Sequence, residues 1–275
     1  MQLTTWRLIE TPPATGAWNM AVDEVLLESM SLSSVESVLR LYSWNPPCLS
    51  IGYAQNVADV DMTRLENFGW ELVRRITGGR AILHSDEITY AVIGPHSEPR
   101  LGGGVLKSYR RLSEALLAAL IKIGLPAQAL PHPKGESSDS SEQERICFEQ
   151  PSNYEITVDG KKLIGSAQAR KNTGVLQHGT LPLYGDLTRI TQVLKFKDEE
   201  ERAFGAQRLL SRATTVERVL NQSVNLELSA KAFVEAFSET LNLDLKPSTL
   251  TNEELTRAEE LVNEKYALPA WTKRI

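Results

Sequence analysis

The segment GKKLIGSAQARKNTGVLQHGTL, residues 160–181, contains the pattern that decides the fold. Strand-forming runs at 163–170 and 175–184 follow an Asp159-Gly160 pair, which is typical of a tight β-hairpin turn. The first run contains Gly165-Ser166-Ala167, whose small side chains pack poorly in a strand unless a ligand or another backbone lies against them. The segment therefore predicts antiparallel strands with a surface suited to a ligand.

Patterns on either side of this hairpin predict an α+β fold, with a mixed, mainly antiparallel sheet flanked by helices. Further strands are predicted at Thr5–Glu10, Val38–Trp44, Cys48–Tyr53, Glu71–Ile76, Arg80–His84, Ile88–Gly94 and Tyr154–Val158. Helices are predicted at Gly16–Met30, Asp59–Phe68 and Val105–Ile123. Val38–Trp44 and Cys48–Tyr53 are expected to pair with each other around the Asn45-Pro46-Pro47 turn.

The pattern becomes helical after about Gly185. Ser229 is expected to cap one helix, and Thr251–Glu254 is a capping box before another. The chain is therefore expected to divide into a catalytic domain at 1–220 and a small helical C-terminal extension at 221–275.

The composition is that of an ordinary globular protein. The 275 residues include 41% apolar and 24% charged residues, with a net charge of −5, which argues against disorder and against a general nucleic-acid binder. No apolar run of about 18 residues is present, and the N-terminal sequence does not resemble a signal peptide. These features predict a cytoplasmic protein that binds neither membrane nor nucleic acid, with Cys48 and Cys147 as free thiols.

Two segments contain residue types suited to chemistry. RRITGGRAILH, residues 74–84, places arginines beside Thr77-Gly78-Gly79, where backbone N–H groups suit a carboxylate, a phosphate or an oxyanion. An ordinary Gly-Gly turn explains the same residues. Lys162 lies three residues before Gly165, at the end of the small-residue run, although a solvated surface lysine is the commoner reading of such a residue.

Cys147 is the candidate nucleophile, although an inert thiol is the commoner reading of a lone cysteine. It follows HPKGESSDSSEQER, residues 132–145, which is predicted to be a mobile surface loop, whereas Cys48 lies in an apolar run typical of packing. Lys162 and His178 are the candidate partners that would activate the thiol. No His, Cys, Asp or Glu cluster has zinc-type spacing, so no metal is expected.

Taken together, these segments resemble the lipoate/octanoate attachment family, which shares its catalytic fold with biotin protein ligases. RRITGGRAILHSDEITYAV at 74–92 and the 160–181 segment are similar to the two signatures of that family. CFEQPSNYE at 147–155 is similar to the cysteine segment of the octanoyl-carrier-protein-dependent octanoyltransferases of Gram-positive type. The match extends from about Thr11 to Tyr184.

The resemblance implies transfer of octanoyl from octanoyl-acyl carrier protein, through a thioester on Cys147, to a lysine of a lipoyl-accepting protein. The acceptor would be a glycine cleavage H protein or a dehydrogenase E2 lipoyl domain, and no cofactor is implied. Lys162 would stabilise the thiolate and shuttle protons. The residues implied to bind substrate or to shape the pocket are Arg75, Thr77, Gly78, Gly79, His84, Gly165, Ser166, Ala167 and His178.

Four other functions remain open from the sequence. Within the family they are an ATP-dependent lipoate-protein ligase and an octanoyl amidotransferase between lipoyl proteins. A non-catalytic acyl-binding protein on the same fold is the third. The fourth is a hydrolase that uses Cys147 with His178.

Overall fold

The computed structural model describes residues 1–32, 35–131 and 154–275. Its strands are β1 (Thr4–Glu10), β2 (Val38–Tyr42), β3 (Cys48–Ile51), β4 (Glu71–Arg74), β5 (Ile82–His84), β6 (Glu87–Gly94), β7 (Gln128–Pro131), β8 (Tyr154–Val158), β9 (Lys161–Lys171), β10 (Gly174–Pro182) and β11 (Leu243–Ser248). Its helices are α1 (Gly16–Ser29), α2 (Met62–Asn67), α3 (Val105–Ile123), α4 (Glu199–Arg212), α5 (Val216–Leu220), α6 (Leu226–Leu241), α7 (Asn252–Leu261) and α8 (Pro269–Thr272). Short 3-10 turns lie at Val57–Asp59 and Leu187–Gln192, and a π-helical turn lies at Val262–Tyr266.

The strands form one large sheet and one small one. The large sheet has the order β11-β1-β2-β6-β10-β9-β8-β7, in which the neighbours β11/β1 and β1/β2 pair in parallel and all other neighbours pair antiparallel. The small sheet has the order β4-β3-β5. The prediction of a mixed, mainly antiparallel sheet is therefore confirmed, including the hairpin of β8 and β9 around Asp159-Gly160.

Alternation along the strands separates two apolar layers. On one face of the large sheet, Tyr90 packs with α3 and α6, which contribute Leu116, Phe233 and Phe237 to a single core. On the other face, α1 packs against the sheet, with residues such as Leu26 in a second core. Three of the candidate site residues, Gly165, Ala167 and His178, lie on this second face, between α1 and the sheet.

The predicted pairing of the strands around Asn45-Pro46-Pro47 is wrong. β2 lies inside the large sheet between β1 and β6, whereas β3 lies inside the small sheet between β4 and β5. The two prolines have no N–H group to donate to a sheet ladder, so the segment leads the chain from one sheet to the other instead of closing a hairpin.

The C-terminal segment joins the main core. The division at 220 remains a prediction, but the segment after it is not wholly helical, because β11 pairs in parallel with β1. Asn225, not Ser229, caps α6, since its side chain accepts the N–H of Leu228. The capping box of Thr251 with Glu254 is confirmed.

No helix among the described residues has the length and apolarity needed to cross a membrane. The predicted loop at 132–145 and the candidate nucleophile Cys147 lie outside the described residues.

Candidate active site

A narrow cavity lies between α1 and the large sheet. It has an empty volume of about 320 Å³, part of it open to solvent, and its lining surface is almost entirely apolar. The residues that line it are Met20, Tyr42, Trp44, Arg75, Ile82, His84, Thr89, Gly165, Ser166, Ala167, His178, Gly179 and Thr180. The structure thus brings together six of the predicted site residues, from three strands (β5, β9 and β10) and the segment after β4.

The cavity exists because small residues share one face of the sheet. In the register, Ala167 and Ala91 flank His178 on its two neighbouring strands. Gly165 lies beside Thr180 one step along. Because side chains alternate along a strand, these residues all face α1, and their small size leaves space there. The small-residue run is therefore a cavity floor, as the sequence predicted.

A β-bulge in β9 determines where Lys162 points. Ile156 pairs with Ile164, but the next residue of β8, Thr157, pairs with Lys162, so Leu163 is an extra residue in β9. An extra residue shifts the alternation of side chains by one. Leu163 and Ile164 consequently both pack into the core that the sheet shares with α3 and α6.

The same shift places Lys162 on the cavity face of β9, together with Gly165 and Ala167. Without the bulge, Lys162 would share a face with Ile164 and point away from the cavity. Its side chain is only 5% exposed, so the surface-lysine reading does not hold. Lys162 lies beyond the residues that line the cavity, at the end of the floor that Gly165 begins.

His178 is held by a buried chain of hydrogen bonds. Its Nδ1 lies 2.9 Å from Asp23 and its Nε2 lies 2.7 Å from the Thr77 hydroxyl. Burial lowers the pKa of His178, so the ring is neutral at neutral pH. Asp23 also accepts from Arg40 at 2.7 Å and from Tyr42 at 2.9 Å. Because the ionised Asp23 carboxylate can only accept hydrogen bonds, the ring proton of His178 lies on Nδ1. The Nε2 atom of His178 then accepts a hydrogen bond from the Thr77 hydroxyl.

The charge state of Asp23 follows from these partners. Burial raises the pKa of Asp23, but the hydrogen bond from His178 and the charge of Arg40 outweigh it, and the net pKa lies below its ordinary value. Asp23 and Arg40 are 1% and 0% exposed, so they form a fully buried ion pair.

His84 is held in the same manner. Its Nδ1 lies 2.6 Å from Glu87 and its Nε2 lies 2.6 Å from the Ser50 hydroxyl. Trp44 stacks on the ring at 4.0 Å, and Arg75 donates to the Ser50 hydroxyl at 2.6 Å. In both His84 and His178, the two ring nitrogens are hydrogen-bonded to protein groups. Each histidine therefore presents the surface of its ring to the cavity.

Arg75 also fixes the Gly-Gly loop. Its guanidinium donates to the carbonyls of Gly78 at 3.1 Å and Arg80 at 3.0 Å. Gly79 has a φ of +95°, which favours glycine, and Gly52 packs directly against its carbonyl. Gly78 and Gly79 are not among the residues that line the cavity, so their predicted role at its mouth stays a prediction.

Cys48 is a packing residue. It is fully buried in the α1 core, close to Gly16, and burial raises the pKa of its thiol well above the ordinary value. Among the described residues, no group of three or more His, Cys, Asp or Glu is placed to hold a metal ion.

Sequence reasoning missed Asp23, Tyr42 and Trp44. Asn19 and Asp23 both face the core from α1, and both contact Arg40. One signal was available, because an arginine in the middle of the apolar run VLRLY needs a buried partner.

A substitution at Gly179 tests whether the neighbouring strand β9 can move to make room for a larger side chain. A methyl group there would lie 2.5 Å from the Gly165 carbonyl, 2.6 Å from the Ser166 hydroxyl and 2.7 Å from the Tyr90 ring. Gly179→Ala is therefore expected to lower the free energy of unfolding by about 1–3 kcal/mol, as overpacking does. Urea denaturation measures this, with Gly78→Ala as the control, since nothing lies within 4 Å of that position. Equal stability of the two variants would show that β9 shifts freely.

The cavity, the hairpin and the two-sheet topology define a class of enzymes that attach lipoyl-type acyl groups. The chain belongs to the Lipoyl protein ligase A/B catalytic domain family, which it matches over residues 15–238.

Relatives and solved structures agree with this assignment. "Octanoyltransferase LipM" of Kyrpidia tusciae is 40% identical over 99% of this chain and 100% of the relative. The protein of the same name from Bacillus subtilis is 35% identical over 98% of this chain and 99% of the relative. A bi-partite lipoate protein ligase from Thermoplasma acidophilum superposes with a TM-score of 0.81 at 26% identity, covering 99% and 97% of the two chains. A lipoate-protein ligase A bound with ATP gives 0.79 at 26% identity, covering 98% and 99%.

These findings confirm the predicted family, fold class and enzyme class. The chain is an acyltransferase of lipoate biosynthesis and protein lipoylation, and the two relatives compared above are named octanoyltransferases.

Proposed function

We propose that the chain moves octanoyl from the thioester of an octanoyl-carrier protein to a lysine of a lipoyl-accepting protein, through a thioester on Cys147. The observation that carries the proposal is the apolar cavity, whose floor of Gly165 and Ala167 continues to the buried Lys162. A hydrocarbon chain fits such an apolar lining, and the carbonyl end of the acyl group would lie near Lys162. We place the reaction in the cytoplasm, where both thiols stay reduced.

Two acyl transfers complete the reaction. The Cys147 thiolate attacks the carbonyl carbon of the donor thioester, a new C–S bond forms, and the carrier leaves as its thiol after taking up a proton. The amine of the acceptor lysine then attacks the acyl-enzyme, a C–N bond forms, and the Cys147 thiolate leaves as the amine loses its proton. Thioester exchange is nearly isoenergetic and amide formation is downhill, so ATP is not needed. Lys162 would stabilise the thiolate and pass these protons.

The state of His178 favours transfer over the hydrolase alternative. A cysteine hydrolase needs a histidine nitrogen that takes the thiol proton. Both nitrogens of His178 are engaged, by Asp23 and Thr77, and burial lowers its pKa. The arrangement has the connectivity of a catalytic triad, but Thr77 is buried and lies outside the cavity lining. The hydrogen bonds of His178 with Asp23 and Thr77 therefore support a wall of the cavity.

The acceptor proposed is a protein with a lipoyl-type lysine. The Thermoplasma acidophilum ligase is described together with its E2 lipoyl domain, and this chain has the same fold. An E2 lipoyl domain or a glycine cleavage H protein would present its lysine amine at the mouth of the cavity.

Intact-mass measurement tests the proposal. Incubation with octanoyl-carrier protein, without ATP, is expected to add one octanoyl group to the wild-type chain. Cys147→Ser is expected to lose the hydroxylamine-sensitive adduct or to form an ester instead. The matched control is Cys48→Ala, which removes the other thiol and should keep the adduct.

Each alternative function predicts a different outcome when the same measurement is repeated with other donors, with ATP and free lipoate, or without an acceptor. A need for ATP and free lipoate would favour the ligase. An octanoyl-lipoyl protein as the only donor would favour the amidotransferase. Release of free octanoate without an acceptor would favour the hydrolase, and binding without any turnover would favour a non-catalytic acyl-binding protein.

A further inference from the structure

Thr180 has an unusual place in the cavity. Its side chain is 1% exposed, it lines the cavity, and its hydroxyl has no hydrogen-bond partner among the described residues. Gly165 lies beside it on β9, so no neighbouring side chain covers it from that strand. The hydroxyl is therefore a buried, unpartnered group on the cavity face of the sheet.

The other hydroxyl groups that line the cavity already have partners, as Tyr42 does in Asp23. Thr89, which flanks Thr180 on β6, donates to Glu87 at 2.7 Å and accepts from Trp44 at 2.8 Å. Ser166 shares a hydrogen bond of 2.7 Å with the Tyr90 hydroxyl. With the two histidines also satisfied, Thr180 is the lining hydroxyl left to bond a ligand in the part of the chain that the structure describes.

An unpaired buried hydroxyl destabilises the free enzyme, whereas valine at the same position would fill the same space without that cost. Threonine is favourable only if an occupant of the cavity supplies a polar atom. An octanoyl group contains one, its carbonyl oxygen. Lys162, which shares the cavity face with Gly165, places the reacting end of the chain on this side of the cavity.

We propose that the Thr180 hydroxyl donates a hydrogen bond to the carbonyl oxygen of the bound acyl group. This inference rests on the proposed function. When a nucleophile attacks the carbonyl carbon, negative charge develops on that oxygen, so the hydrogen bond strengthens in the transition state. Thr180 then both orients the acyl group and assists its transfer.

The test compares Thr180→Val with Thr180→Ser. The valine variant is expected to melt roughly 2–4 °C higher than wild type, because the unpaired hydroxyl is gone. It is expected to form the acyl-enzyme about 10–100-fold more slowly, because the carbonyl loses its donor. The serine variant keeps the hydroxyl and should stay within about threefold of the wild-type rate. Opposite effects on stability and rate in one variant are not expected from a packing residue.

Binding of octanamide, measured by calorimetry, separates this inference from the proposed function. The amide offers a carbonyl but undergoes no transfer, and Thr180→Val is expected to weaken it about 5–10-fold while Thr180→Ser does not. If wild type binds octanamide with this pattern yet forms no adduct, the proposed function fails and the inference stands. Equal acylation rates and equal octanamide affinities in wild type and Thr180→Val would overturn the inference. A lower melting temperature for Thr180→Val would show that the hydroxyl has a protein partner and would also overturn it.

Discussion

Substitution of Lys162 by methionine is expected to slow octanoyl transfer by about 10²–10⁴-fold, the range that a positioned acid-base group contributes. The bulge at Leu163 turns Lys162 onto the cavity face, where it is 5% exposed. Methionine fills nearly the same space but has no ammonium group to stabilise a thiolate or to carry a proton. Single-turnover acylation by octanoyl-carrier protein measures the effect.

Lys161→Met is the matched control. Lys161 is the neighbouring lysine of β9, and its ammonium donates to the Leu210 carbonyl at 2.8 Å, away from the cavity. This change should leave the rate within about twofold of wild type. A similar loss in both variants would mean that strand packing, and not the Lys162 ammonium, is responsible. Unchanged transfer by Lys162→Met would remove Lys162 from the mechanism.

Local sequence patterns predicted several elements and part of the cavity, although they missed β7 and β11. The α3 helix has the predicted bounds, because its apolar stripe is regular and Gly124 ends it in a left-handed conformation. The small-residue run predicted the cavity floor, because Gly165 and Ala167 make poor packing residues but good neighbours for a ligand. The spacing of apolar residues is sufficient to predict such a helix, and the small size of neighbouring side chains is sufficient to predict such a floor.

Pairing between distant segments was not available from the sequence. The β2 and β3 strands are adjacent in sequence but belong to different sheets, and β11 completes an edge beside β1 from more than 200 residues away. Such choices depend on which surfaces bury the most apolar area once the whole chain is collapsed. A local turn signal such as Asn45-Pro46-Pro47 does not specify them.

The bulge in β9 and the buried Asp23–Arg40 ion pair also depend on pairing between distant segments, here at the level of single residues. Simple alternation along β9 would turn Lys162 away from Gly165, and only the pairing with β8 shows that Leu163 interrupts it. Asp23 lies beside glutamates of α1 in the sequence, and only the position of Arg40 on β2 shows that it is buried. In both cases, the partner strand supplies the missing information.

Asp23→Asn is expected to lower the free energy of unfolding by about 3–5 kcal/mol, because it leaves the Arg40 guanidinium charged and buried without a counter-ion. The introduced amide would also offer an N–H₂ group where Asp23 offers only acceptors to Arg40, Tyr42 and His178. Urea denaturation at neutral pH measures the loss. The matched control is Glu28→Gln, since the Glu28–Arg257 pair is 42% and 38% exposed and should contribute about 1 kcal/mol or less.

The pH dependence of stability provides an independent check. The pKa of Asp23 is lowered from its ordinary value of 3.8, so the folded protein binds this proton less readily than the unfolded chain. Its contribution is therefore fully present above about pH 4 and is lost as the pH falls through the folded pKa. The pKa of His178 is lowered from 6.5, so protonation of that ring also favours unfolding as the pH falls below 6.5. Wild type should lose stability in both ranges, whereas Asp23→Asn should lack the loss below pH 4 that belongs to Asp23.

The double variant Asp23→Asn with Arg40→Gln decides whether the buried charge is the cause. Removing Arg40 as well removes the uncompensated charge, so the double variant is expected to recover part of the stability that the single variant loses. The coupling between the two sites should exceed about 1 kcal/mol, since they share one buried network with His178. Simple addition of the two losses would mean that each side chain acts through packing alone. In that case the ion pair would not be what holds His178 and the cavity wall in place.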